Sequence, residues 1–272
     1  MYHLILYRSF VSFFNFNDNI NFSLKLFLIS IAIRYNSYMT THLFVRSCYT
    51  LLDSTIRIPE LVSTAKKYGY QSVALTDHHV MHGVARFLHE CKKEGIHPIV
   101  GLEVDVFYHE QKVPFLLLAK NNRGYANLMK LSSLLCDGRE YATLEEFLTY
   151  SEHNFLIVYG EGGYFDAELI SEDRTGITQK LALMKSELPT FDIAISYEET
   201  SLWRSKNAVL KALAKAQGIQ TVALNKIYYL VQKDYETLKV LSAIKQGTTL
   251  KDKNVTPITG RYFLSIPEME KI

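Results

Sequence analysis

The stretch Ser72-Val73-Ala74-Leu75-Thr76-Asp77-His78 is an apolar run that ends in a carboxylate and an imidazole. Short runs of this kind, rich in aliphatic residues, are typical of buried strands. Asp and His side chains can bind metal ions or transfer protons. In β/α barrels the residues just past the C-terminal ends of the strands build the active site. The stretch therefore predicts a strand that ends at a functional site.

The alternation of apolar runs and helical segments continues from Thr41 to the end of the chain. Pro59 stands at a favoured first-turn position of one helix, and Gly69 ends it. The predicted strands are residues 42–45, 72–76, 99–107, 114–119, 155–159, 191–196 and 221–224. Seven strands, each followed by a helix or crossover, predict an α/β fold with a parallel sheet buried on both faces. A closed barrel and an open doubly wound sheet both fit, but no Gly-x-Gly-x-x-Gly loop supports a nucleotide-binding sheet.

Composition limits the classes of function. The 272 residues are 48% hydrophobic, and 30 Lys and Arg against 28 Asp and Glu leave a net charge of +2. This balance does not indicate a chain that binds nucleic acid mainly by electrostatic attraction. Cys48, Cys91 and Cys136 show no Cys-x-x-Cys spacing, which argues against a zinc knuckle or a disulfide framework. We therefore expect a cytoplasmic protein.

Residues 1–38 differ from the rest of the chain because Phe, Asn, Ile and Tyr dominate them. Their apolar run from Phe22 to Ile33 is interrupted by Lys25 and is shorter than the roughly 20 residues that span a bilayer. We interpret 1–38 as an extension, either a mis-called start upstream of Met39 or a disordered segment. A membrane-peripheral or packing extension is the alternative. We predict one domain over 39–272 and no membrane partner.

Several ordered motifs resemble a known family. The segments are 42–53 (HLFVRSCYTLLD), 74–78 (ALTDH), 98–103 (PIVGLE), 117–128 (LLAKNNRGYANL) and the closing segment 249–264. Together they resemble the polymerase-and-histidinol-phosphatase (PHP) domain. More narrowly, they resemble the version at the N-terminus of bacterial DNA polymerase III alpha subunits that carries no inserted exonuclease.

The resemblance implies a seven-stranded (β/α)7 barrel, a distorted TIM-like barrel of the PHP type. In active members of the family, the strand ends hold up to three metal ions. Metal-bound water attacks a phosphoester there, and the metals stabilise the charge that develops on phosphate.

The chain departs from the family at most ligand positions. The resemblance makes His42, His78 and Glu103 vestigial metal ligands, together with Asp77. The changed positions carry Phe44, Arg46, Pro114, Glu161, Lys226 and Tyr228. Six changed positions leave too few ligands for three ions, so we expect no tightly bound cofactor and at most one weakly held divalent ion. His79 occupies a turn position where the family often has glycine, and we interpret it as loop decoration.

Two of the replacements introduce fixed positive charge. Arg46 and Lys226 are predicted to face Glu103 and Asp77 where cations would otherwise lie. A buried carboxylate without a partner is strongly destabilising. We therefore predict an internal ion-pair network, joined by Glu161, that replaces the metals. The alternative is that both replacements are unrelated surface substitutions.

The resemblance implies that the chain is the N-terminal PHP domain of a replicative DNA-directed DNA polymerase. The parent enzyme would use Mg²⁺ in a palm that this segment lacks. The segment itself would be structural, contacting the downstream polymerase domains and docking a proofreading exonuclease or another replisome subunit. It would meet DNA only through the parent protein. The alternatives are a stand-alone metal-dependent phosphoesterase of the histidinol-phosphatase type and a membrane-tethered adaptor.

Overall fold

The computed structural model describes residues 40–160, 162–196, 201–250 and 259–269, with only the backbone of 201–203. The prediction for residues 1–38 therefore lies outside the described residues, and the domain boundary at Met39 stays a prediction. None of the described helices is long and apolar enough to cross a bilayer.

Short strands alternate with helices along the described chain. The strands are β1 (Phe44–Val45), β2 (Ser72–Leu75), β3 (His97–Tyr108), β4 (Gln111–Ala119), β5 (Ala142–Thr143), β6 (Asn154–Tyr159), β7 (Phe191–Ser196), β8 (Gln220–Leu224) and β9 (Lys226–Ile227). The helices are α1 (Ile58–Lys67), α2 (Val84–Glu94), α3 (Asn122–Leu135), α4 (Leu144–Ser151), α5 (Asp166–Ser171), α6 (Arg174–Glu187), α7 (Ser201–Ala216), α8 (Tyr235–Lys245) and α9 (Ile266–Met269). A 3₁₀ turn, Gln232–Asp234, precedes α8.

The main sheet curls into a barrel. Its strand order is β2-β3-β4-β6-β7-β8, with β5 attached to β3, and β1 pairs in parallel with β9. Asn225 alone separates β8 from β9. On its other side β1 bonds to β2, because the Ala74 amide donates to the His42 carbonyl at 3.2 Å and the Thr76 amide to the Val45 carbonyl at 2.9 Å. The predicted seven-stranded barrel is confirmed, with β8 and β9 acting as one strand.

The prediction of a wholly parallel sheet is wrong at β4. This strand pairs antiparallel with both β3 and β6. The turn between β3 and β4 is two residues long, and His109 and Glu110 have φ angles of 44° and 62°. Two consecutive positive φ angles are the signature of a tight hairpin turn. The apolar runs revealed the strands but not their directions.

Alternate side chains of β3 and β4 face the barrel interior, and the others face the layer between the sheet and the helices. Leu102 and Val104 pack in the large outer cluster with α3 and α4 residues, whereas Leu116 and Phe44 belong to the inner cluster. Successive side chains of a strand point to opposite faces. Glu103, which pairs with Leu116 across the sheet, therefore lies on the inner face.

The predicted end of α1 at Gly69 agrees with the structure, where the helix ends at Lys67 and Gly69 has a φ of 84°. Helix α2 ends at Glu94, and Gly95, with a φ of 72°, forms a left-handed cap after it. Three short helices were missed, α4, α5 and α9. The first of them had a readable signal, because Thr143 and Glu146 form a capping box.

The hairpin offers a matched test of the core assignment. Phe115 is fully buried, whereas Phe107 is 44% exposed on the neighbouring strand. We expect Phe115→Ala to lower the free energy of unfolding by about 3–5 kcal/mol, since it opens a core cavity. Phe107→Ala should cost less than about 1 kcal/mol. Urea denaturation of both variants measures this, and equal losses would contradict the assignment.

Candidate functional site

The C-terminal ends of the inner strands bring a guanidinium and a carboxylate together. Arg46 follows β1, and its Nε donates to Glu103 Oε2 at 2.8 Å while Nη2 donates to the same oxygen. The Nη1 atom lies 3.3 Å from Asp53 Oδ2. The Glu103 side chain is 2% exposed and that of Arg46 14%. The predicted contact between Arg46 and Glu103 is present in the structure.

Aromatic rings complete the surroundings of Arg46. Its guanidinium lies 5.3 Å from the ring centre of Tyr228 and 5.6 Å from that of Phe44. Burial works against the charge of Arg46, but the carboxylates of Glu103 and Asp53 outweigh it and raise the pKa of Arg46 above its usual value. The guanidinium is therefore charged at any pH at which the protein folds.

Asp77 is held by hydrogen bonds rather than by an ion pair. Its carboxylate accepts bonds from the Ser47 amide at 2.6 Å, the Ser47 hydroxyl at 2.7 Å and the Thr50 hydroxyl at 2.8 Å. Burial raises the pKa of Asp77, and these three donors work in the opposite direction. The charge of Arg46 also acts to lower the pKa of Asp77, as expected of a cation that faces this carboxylate, and the predicted pairing of Lys226 stays a prediction.

Lys226 lies in the barrel, over aromatic rings. Its Nζ is 4.0 Å from the ring centre of Tyr159 and 5.9 Å from that of Phe44. Burial raises the pKa of Tyr159 well above its usual value, and the nearby Glu103 adds to this rise. Glu161, which we expected to join the network, lies outside the described residues.

His42 points to a different part of the barrel. Its Nε2 lies 3.1 Å from the Leu264 carbonyl and 3.2 Å from the Tyr70 hydroxyl. Its ring packs 4.4 Å from that of Phe263, measured between centres. Burial lowers the pKa of His42 to about 4. His42 therefore serves as a buried neutral residue here, and it does not approach His78 and Glu103 closely enough to share an ion with them.

A second cluster lies at the rim, and the sequence reasoning missed it. His78 Nε2 is 3.2 Å from Asp105 Oδ2, and the rings of His78 and His79 stack with centres 3.8 Å apart. The Asp105 amide donates to His79 Nε2 at 3.0 Å. The interpretation of His79 as loop decoration is wrong, because its side chain contributes to this cluster. The signal was available, since Asp105 follows Glu103 by two residues and shares its face of β3.

Comparisons with known proteins agree with this architecture. Residues 42–198 match the family described as the PHP domain. The chain belongs to the PHP domain family. The matched range 42–198 contains the ion pair of Arg46 with Glu103 and also the rim cluster. Both sites therefore lie inside the PHP domain.

Curated relatives of this PHP chain are polymerase subunits. It is 33% identical over 236 residues to DNA polymerase III subunit alpha of Halalkalibacterium halodurans, and 33% identical over 239 residues to that of Bacillus subtilis. Each match covers 85% of this chain and 21% of the relative. The chain thus spans about a fifth of the length of these relatives.

A solved structure supports the PHP fold. An amidohydrolase from Chromobacterium violaceum, with bound sulfate and no metal, has a TM-score of 0.50 and 14% identity. The match covers 69% of this chain and 87% of that one. At this identity it shows the fold alone.

The burial of His42 predicts a pH dependence of stability. Its pKa is lowered from 6.5 to about 4 in the folded PHP chain, so the unfolded chain takes up a proton first as the pH falls. The free energy of unfolding should therefore rise with pH between about 4 and 6.5, and His42 accounts for at most about 3 kcal/mol of the rise. Denaturation at several pH values should show a shallower rise for His42→Phe than for the wild type. Parallel curves would contradict the buried neutral state.

Proposed function

We propose that the chain is the PHP segment of a replicative DNA polymerase III alpha subunit, and that it acts as a structural and docking module without hydrolytic activity. The whole enzyme would add nucleotides with Mg²⁺ in a part of the polymerase that this segment does not contain, in the bacterial cytoplasm. The 33% identity to two polymerase subunits supports the parent protein. The pairing of Arg46 with Glu103 is the observation that supports a structural role.

The residues present do not fit the cluster of up to three metal ions that the family implies. Each cation of such a cluster needs carboxylate, imidazole or thiolate ligands. Here Arg46 hydrogen-bonds the carboxylate of Glu103, and Arg cannot act as a ligand. Lys226 adds a second cationic side chain inside the barrel, and Phe44 an apolar ring.

In our proposal Arg46 does the structural work that the cations would do. Glu103 is almost fully buried, and an unpaired carboxylate there would be strongly destabilising. Two donors from the Arg46 guanidinium satisfy the Glu103 carboxylate. The chain of ion pairs continues from Arg46 through Asp53 to Lys245, whose Nζ lies 2.6 Å from Asp53 Oδ1. Participation of Lys226 and Glu161 remains part of this hypothesis.

An apolar surface beside this connection supports docking. Leu51, Val240 and Ile244 are 79%, 40% and 58% exposed. Val240 and Ile244 lie one turn apart on α8, and the bond between Lys245 and Asp53 holds the loop of Leu51 against that helix. Exposed apolar patches of this kind mark interaction sites. Because the chain spans about a fifth of its relatives, we propose that the remaining polymerase domains cover this surface; a proofreading exonuclease or another replisome subunit is the second candidate.

The alternative, a stand-alone phosphoesterase of the histidinol-phosphatase type, needs the metal ligands that Arg46, Lys226 and Phe44 displace. A membrane-tethered adaptor rests on residues 1–38, which lie outside the described residues. The described part of the chain offers the phosphoesterase only the rim cluster of His78, His79 and Asp105, and it holds no observation that supports the adaptor.

The proposal predicts a chain without phosphoesterase activity. We expect no turnover of a phosphomonoester or of single-stranded DNA with Mn²⁺, Zn²⁺ or Fe²⁺, and fewer than two metal ions per purified molecule. A metal-dependent phosphoesterase serves as the positive control. Turnover that a chelator abolishes and that Glu103→Gln removes would overturn the proposal.

The purified chain also allows a test of the proposed docking surface. A separately produced polymerase segment of the parent protein should co-purify with the wild-type chain and less well with Ile244→Asp. Ile170→Asp is the matched control, because Ile170 is 67% exposed on α5, outside the proposed surface. Equal losses for both variants, or none for either, would contradict the assigned surface.

A further inference from the structure

The rim cluster has the chemistry and spacing of a metal site. The ligand atoms of His78, His79 and Asp105 all lie within 4.8 Å of one another. In the part of the chain that the structure describes, this is the one such group of three His, Cys, Asp or Glu side chains. We propose that these three residues bind a single divalent ion of the zinc type, with solvent as the fourth ligand.

The distances suit a tetrahedral ion. Zinc bonds to imidazole nitrogen and carboxylate oxygen are about 2.0–2.2 Å long, so neighbouring ligand atoms in a tetrahedron lie about 3.3 Å apart. Asp105 Oδ2 lies 3.2 Å from His78 Nε2 and 3.7 Å from His79 Nε2. Two imidazoles and one carboxylate favour zinc over magnesium or calcium, which prefer oxygen ligands.

The backbone holds these ligands in place before any ion binds. His78 forms a bridge with Glu103 of β3, and the Thr50 hydroxyl accepts a bond from its amide at 3.0 Å. The His79 amide donates to the Glu103 carbonyl at 2.8 Å, and its own carbonyl accepts from Ser132 Oγ. A preorganised set of ligands loses little conformational entropy on binding.

Access and protonation also suit metal binding. The side chains of His78, His79 and Asp105 are 27%, 14% and 12% exposed, so water reaches the rim. The Asp105 amide donates to His79 Nε2, so this nitrogen carries a lone pair rather than a proton. Metals bind the neutral imidazole.

Two groups compete with the ion and set its affinity. Lys112 Nζ lies 3.8 Å from Asp105 Oδ2, and the Asp105 amide donates to His79 Nε2 at 3.0 Å. To bind, an ion must displace the Lys112 ammonium from Asp105. It must also replace the Asp105 amide as the partner of the His79 Nε2 lone pair. We therefore expect micromolar rather than nanomolar affinity.

This site is distinct from the set expected from the family resemblance. It shares His78 with that set but uses His79 and Asp105 in place of His42 and Glu103. It does not depend on the proposed docking role, since a single ion at the rim leaves the pairing of Arg46 with Glu103 intact.

Calorimetric titration of the whole chain with Zn²⁺ tests the site. We expect one ion per molecule, binding at least about tenfold weaker in Asp105→Asn and His79→Gly. Glycine adopts the φ of 62° at position 79 without strain, so the second variant keeps the turn. Lys112→Gln should bind several-fold tighter, because it removes the competing ammonium.

The controls separate this site from other zinc ligands. Cys136→Ser and His82→Ala change an exposed pair whose Sγ and Nε2 lie 4.0 Å apart, and both should bind like the wild type. Co²⁺ bound at the site should give an absorption spectrum typical of nitrogen and oxygen ligands, without a thiolate-to-cobalt charge-transfer band. Unchanged affinity in Asp105→Asn, or loss of binding in Cys136→Ser, would overturn the site. The absence of phosphoesterase turnover is measured separately, so either proposal can fail alone.

Discussion

The ion pair between Arg46 and Glu103 is the constraint around which the barrel mouth is organised. It joins the end of β1 to the middle of β3 across β2, with the carboxylate almost fully removed from water. Burial of two charges is costly unless each is paired and hydrogen-bonded. Here one guanidinium supplies two donors to Glu103 and a third to Asp53, so the cost is offset and the end of β1 is tied to β3.

Asp77 and Lys226, two other charged residues of the mouth, make contacts that do not involve this ion pair. Asp77 takes its donors from the Ser47 turn and from Thr50, which ties the segment after β1 to the end of β2. Lys226 lies over the ring of Tyr159, which places a cation against an electron-rich face. These contacts tie β1, β2 and β3 together through protein side chains, which suits a module whose proposed task is to support neighbouring domains.

The apolar runs and helix ends predicted the alternation of strands and helices because they are strong local signals. They fit an open sheet as well, so the barrel was predicted only from the resemblance to the PHP family. The antiparallel direction of β4 could not be predicted from its apolar residues, since a buried strand shows the same pattern whichever way it runs. The contact of Arg46 with Glu103 could be anticipated from the charge that an unpaired carboxylate requires. The position of His42 could not, because His42 is oriented by Leu264, more than 200 residues later, through a tertiary contact. That of Asp105 could be read from its spacing of two residues to Glu103 on β3.

The strength of the coupling between Arg46 and Glu103 is the most direct test of this account. A double-mutant cycle with Arg46→Met and Glu103→Leu, followed by urea denaturation, measures it. The account predicts that each single change costs about 3–5 kcal/mol and that the double variant recovers at least about 2 kcal/mol of the summed loss. The half-exposed pair Arg139 and Glu146 serves as a reference, with a coupling below about 1 kcal/mol. Additive losses at Arg46 and Glu103 would contradict the claim that this pair holds the barrel mouth together.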